Sequence, residues 1–86
     1  MVYLALTPQG AHDVMNLARD SGSAVWVGSD GLSDAEYEEA GRSGVKISRF
    51  IYALVGADRH TVDGAIETVV EHHPNETIWV EQRVRS

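Results

Sequence analysis

The chain has no cysteine. Disulfide frameworks, thiolate metal sites and thiol nucleophiles are excluded at once. Basic charge is also scarce: seven Lys and Arg face thirteen Asp and Glu, a net charge of −6. The bases are scattered, at Arg19, Arg42, Lys46, Arg49, Arg59, Arg83 and Arg85. Phosphate backbones are held mainly by Lys and Arg, so direct nucleic-acid binding is not expected. No apolar run approaches the roughly 20 residues of a membrane span. Met1, Val2 and Tyr3 do not open a signal peptide, so a cytoplasmic protein without membrane contact is expected. Linkers and low-complexity tracts are missing as well, and residues 1–86 read as a single α/β domain. A chain this short buries a modest fraction of its surface, which makes oligomerisation a natural supplement.

What is present is an alternation of strand-like and helix-like runs. Residues 2–6 are strand-like. Thr7 and Pro8 then supply an N-cap and a first-turn proline. Ala11, Val14, Met15 and Ala18 follow at helical spacing, and Gly22 stops that helix. Ala24–Val27 reads as a second strand. Residues 45–55, "VKISRFIYALV", form the longest β-like run. Val62, Ala65, Ile66, Val69 and Val70 mark a further helix, capped by Asp58 or Thr61 and ended by Pro74. Residues 77–81 close the series as a strand carrying Trp79.

The order strand–helix–strand thus occurs twice, "YLAL" to "VWV" and "IYAL" to "IWV". Two joined βαβ units give a ferredoxin-like two-layer α+β sandwich, β-α-β-(α)-β-α-β with four strands. The alternative is a small doubly wound parallel α/β sheet. The middle helix decides for the ferredoxin-like arrangement. It is acidic and has a poor apolar face, whereas a parallel sheet needs it as a cover.

The segment "VGSDGLSDAEYEEA" at 27–40 looks at first like a ligand loop. It lacks both the P-loop ending and G-x-G-x-x-G, and Asp30, Asp34, Glu36, Glu38 and Glu39 would repel an anion. Read singly, its residues start a helix. Ser33 and Glu36 form a capping box, Leu32 and Tyr37 a hydrophobic staple, and Asp30 with Gly31 a turn. The turn still follows a strand's C-terminal end, where α/β ligands bind. Ser29, Asp30, Arg49 and His60 are therefore the ligand-loop candidates, for a cationic or neutral ligand.

No motif marks a metal or cofactor site, and none is expected. His72 and His73 are adjacent, so on a helix they diverge by about 100°, and H-E-x-x-H is absent. Their place in a last helical turn suits the helix dipole. His60 stands about 18 Å from His72 along a straight helix. Nucleophile elbows are absent too, so catalysis is not the leading reading.

The aromatics say more. Tyr3, Trp26, Trp79 and Tyr52 or Phe50 stand on strand-like runs and are expected to share one sheet face. Exposed apolar surface of that kind marks interfaces, and aromatics dominate interface hot spots. The leading expectation is a non-catalytic protein-interaction module. It would associate with a second copy, or with a basic protein, through an aromatic sheet face or an edge strand, with Tyr3, Trp26, Tyr52 and Trp79 as anchors. One alternative is a small-ligand-binding or enzymatic subunit with a pocket between that face and the acidic middle segment. Another is an acidic inhibitor of a basic nucleic-acid-binding protein.

Overall fold

A computed structural model of the chain describes residues 1–82. Arg83 and Arg85 lie outside the described residues. The elements run β1 (Val2–Ala5), α1 (Pro8–Ser21), β2 (Ala24–Val27), α2 (Asp34–Arg42), β3 (Lys46–Arg49), α3 (Arg59–His72) and β4 (Ile78–Val80).

The helix boundaries follow from local chemistry. The Thr7 side chain accepts from the Gly10 N–H and Pro8 opens α1, while Gly22 ends it in the left-handed conformation at φ 70°. Ser33 and Glu36 make the reciprocal capping box at the start of α2. Asp58 caps α3 by accepting from the Thr61 N–H.

The sheet is wholly parallel, in the order β3-β2-β1-β4. The ferredoxin-like arrangement, whose sheet contains antiparallel pairs, is therefore corrected, and the doubly wound alternative fits. Right-handed crossovers explain the layers. The steps β1 to β2 and β2 to β3 move one way, and the step to β4 reverses past them. That puts α1 and α2 on one face and α3 on the other.

The reason for the correction lies beside α2. Within that helix Ala40 is buried and Tyr37 packs half-buried on the core. Leu32 before it and Val45 after it complete the cover. A helix poor in apolar residues covers a sheet when its flanks supply the bulk.

Two cores result. Ala5, Val25 and Val27 meet Ala11 and Ala18 of α1 on one face. Val2 and Leu4 meet Ala65 and Val69 of α3 on the other, with Phe50 and Leu54 from the β3–α3 loop. Burying a Val or Leu side chain fully is worth about 1.5–3 kcal/mol, and six such chains are almost wholly buried: Leu4, Leu54, Val2, Val25, Val27 and Val69.

The long β-like run is a second correction. Only Lys46–Arg49 pairs, and residues 50–58 form a loop. Phe50 still donates its N–H to the Val27 carbonyl (2.8 Å). Beyond it the chain turns inward to bury Leu54, while Ile51 is almost fully exposed.

Candidate functional site

In a doubly wound sheet the ligand crevice lies beyond the strands' C-terminal ends, where the strand order reverses. Here that place is between β1 and β4. The first helix N-terminus beside it offers backbone donors, which suit an anion. The protein supplies its own. Glu81, just past β4, accepts from the N–H of Leu6 (2.6 Å) and of Thr7 (2.8 Å) through Oε1, and from the Thr7 hydroxyl (2.6 Å) through Oε2. A Cβ on Gly10 would collide with that carboxylate. Glycine in the first turn of α1 therefore makes room for Glu81, and the cradle is filled from within.

The two neighbouring loops are likewise tied to each other. Asp30 accepts from the backbone N–H of Leu54 (3.0 Å) and of Val55 (3.1 Å). Ser29 donates its N–H to the Tyr52 carbonyl (2.9 Å). Gly28 is required by the same closure, because a Cβ there would stand 2.8 Å from the Leu54 nitrogen. Arg49 pairs with Asp34 (2.9 Å) and lies over the Tyr37 ring, 4.6 Å from its centroid. Ser29 and Arg49 line one shallow groove with Asp34, Tyr37, Phe50 and Ile51. His60 stands exposed in the first turn of α3, on the other side of the sheet. The four ligand-loop candidates thus do not converge on one point, and Asp30 and Arg49 hold the fold's own groups.

The aromatic candidates separate by register, which corrects the single aromatic face. Tyr3 is level with Trp79, whereas Trp26 is level with Leu4 on the opposite face. Trp26 is covered: its ring meets Phe50 and His72 at 5.2 Å, and its N–H donates to His73 Nε2 (3.2 Å). That bond leaves Nδ1 of His73 to donate to Glu76 (2.7 Å), whose other oxygen takes the N-terminal ammonium (3.0 Å). The ammonium first, and then His73, hold the Glu76 carboxyl below the usual carboxylate range. Tyr52 lies in the β3–α3 loop and stacks on Phe50 with centroids 5.1 Å apart.

Trp79 is different. It is 55% exposed, on an edge strand, beside an apolar groove of about 460 Å³ between α1 and β4. Tyr3, Val14 and Trp79 line that groove, with Gln9, Asp13 and Glu81. Among the described residues α1 packs on β1 and β2 and α2 on β3, and no helix covers β4 on this face.

Among the described residues, no three metal-capable side chains converge. No helix among them is long and apolar enough to cross a membrane. Compared with protein-family models, curated proteins and solved structures, the chain matches none.

Sequence reasoning missed the Glu81 contact altogether. Its one local signal is Gly10, a poor helix former placed in the first turn of an otherwise well-specified helix.

Proposed function

We propose that the chain is a small non-catalytic interaction module that associates with a second copy of itself through the β4 edge and the groove beside it. The observation that carries this reading is Trp79: a large aromatic, more than half exposed, on an edge strand that has no charged residue. Val80 on the same strand, also exposed, adds apolar surface. The crevice where a doubly wound sheet takes small ligands supports the same reading, since Glu81 already occupies its donors.

Static light scattering over a wide concentration range tests it, together with melting temperature against concentration. A dimer is expected, with a melting temperature that rises with protein concentration because association stabilises only the folded state. A monomeric mass and a constant melting temperature throughout would end the reading.

A further inference from the structure

The hydrogen bonding of β4 defines how a second copy would join it. Val2 donates its N–H to the Thr77 carbonyl (2.9 Å), and Glu81 donates its own to the Leu4 carbonyl (2.9 Å). In a parallel ladder alternate residues turn both backbone groups to the same neighbour. Thr77, Trp79 and Glu81 therefore face β1, and the N–H and C=O of Ile78 and Val80 point away from the sheet. Among the described residues β4 has no neighbour but β1.

These outward groups are symmetric about Trp79. We infer that two copies pair antiparallel, β4 to β4, across a two-fold axis at Trp79, giving one continuous eight-stranded sheet. The proposal rests on the self-association reading and specifies its geometry. Ile78 would exchange two backbone hydrogen bonds with the partner's Val80, and Val80 two with the partner's Ile78. Trp79 would face the partner's Trp79 at a non-hydrogen-bonded position, where Cα atoms approach to about 4.5 Å and aromatic pairs stabilise a sheet. The two rings would lie on the face that α1 leaves open.

Charge favours this register. Glu76 would come opposite the partner's Gln82, and Glu81 opposite the partner's Thr77, so no like charges meet. Glu81 is in any case turned inward onto Leu6 and Thr7, and Glu76 is engaged by His73 and the N-terminal ammonium. The opposite edge does not offer such a surface: β3, Lys-Ile-Ser-Arg, carries the exposed Lys46 beside an Arg49 paired with Asp34, and a lysine on an edge strand opposes pairing.

Two measurements on the full chain test the arrangement. Amide hydrogen exchange read residue by residue should show Ile78 and Val80 exchanging quickly in dilute solution and slowing about tenfold or more as the dimer forms. The Trp79 amide, bonded to β1, should be protected at both concentrations. Val80→Pro is the second. Proline removes only an outward N–H, which edge strands tolerate, so the far-ultraviolet spectrum should be unchanged while the dimer dissociation constant rises about tenfold or more. If dimers form but Ile78 and Val80 stay unprotected, or folded Val80→Pro dimerises normally, the β4–β4 arrangement is overturned and another surface carries the association. If Val80→Pro is unfolded, the exchange result alone decides. If the wild type never dimerises, the underlying reading fails with it.

Discussion

The two edges of this sheet are built from strands of nearly equal length and opposite character. β3 reads Lys-Ile-Ser-Arg and β4 reads Ile-Trp-Val. Both end a parallel sheet and both leave backbone groups unpaired by a further strand. On β3 Arg49 is held by Asp34 and the Tyr37 ring, but Lys46 is exposed, so a strand approaching this edge meets its positive charge. On β4 an approaching strand meets Trp79. Edge strands are a standing hazard that proteins blunt with charge, lysine above all. The chain's single lysine stands on the edge that is blunted. An edge left apolar beside one so defended is where association is expected.

The largest expected effect comes from giving β4 the charge that β3 has. Trp79→Lys should raise the dimer dissociation constant by roughly 30-fold or more, as for a hot-spot aromatic worth about 2 kcal/mol or more. The melting temperature extrapolated to low concentration should hardly move, because Trp79 contributes little to either core. Sedimentation equilibrium and a dilute thermal scan read the two effects separately.

The comparison also depends on what fixes β4 in place. Gly10→Ala improves the intrinsic helix propensity of α1 by about 1 kcal/mol. The Cβ would nevertheless expel the Glu81 carboxylate and leave the Leu6 and Thr7 donors without their partner, at about 1–3 kcal/mol. A net loss of up to about 2 kcal/mol is expected in urea unfolding. In a Glu81→Ala background the same substitution should become neutral or stabilising, a coupling that a double-mutant cycle reads directly. A gain in stability from Gly10→Ala alone would contradict the role of Glu81.

On the β3 side the counterpart is Asp30. Asp30→Ala leaves the Leu54 and Val55 N–H groups without their acceptor and should cost about 1–2 kcal/mol. Its effect on dimerisation should be nil, since the clasp lies away from β4. Lys46→Val should let β3 pair as well, so that particles larger than the dimer appear in sedimentation.

The smallest effect is that of pH. Glu36 is held below the usual carboxylate range, by the Ser33 backbone N–H first and then by His12; Glu76 is lowered by the ammonium and His73. Each carboxyl has a folded value below its unfolded one of 4.5. The stability each contributes is therefore fully present above pH 4.5 and is lost as pH falls through the lower folded value. Glu36→Gln and Glu76→Gln should each flatten part of the decline in melting temperature below pH 4.5. An unchanged slope would show that neither contact carries the acid sensitivity.

Much of this was legible in the sequence where the cause is local. Thr7 with Pro8, Ser33 with Glu36, and Gly22 act within a few residues of themselves, and the structure places those caps as expected. Strand direction is not local. The apolar residues that let α2 cover a parallel sheet, Leu32 and Val45, lie outside the helix, so its own sequence understates its reach. Register is not local either. A shift of one residue moves a side chain to the other face, which is why Trp26 parts from Tyr3 and Trp79. The run 45–55 reads as one strand because its β-formers are continuous, whereas its partner β2 ends at Val27, level with Arg49, and Asp30 ties the following residues Leu54 and Val55 into a loop. Glu81 was illegible for the same reason, since it acts on Leu6 and Thr7 from the far end of the chain. Asp30 is a ligand-loop candidate by its place at a strand's end, and its two carboxylate oxygens accept from the neighbouring loop at Leu54 and Val55.

Net charge offers a last gradation on the two edges. With −6 on each copy, added salt should tighten the dimer modestly by screening repulsion. The most direct test is sedimentation velocity of the wild-type chain up to high concentration in moderate salt. One open edge and one defended edge should carry the mass from monomer to dimer and stop there. A monomer at every concentration, or growth beyond two copies without limit, would contradict the difference between β4 and β3.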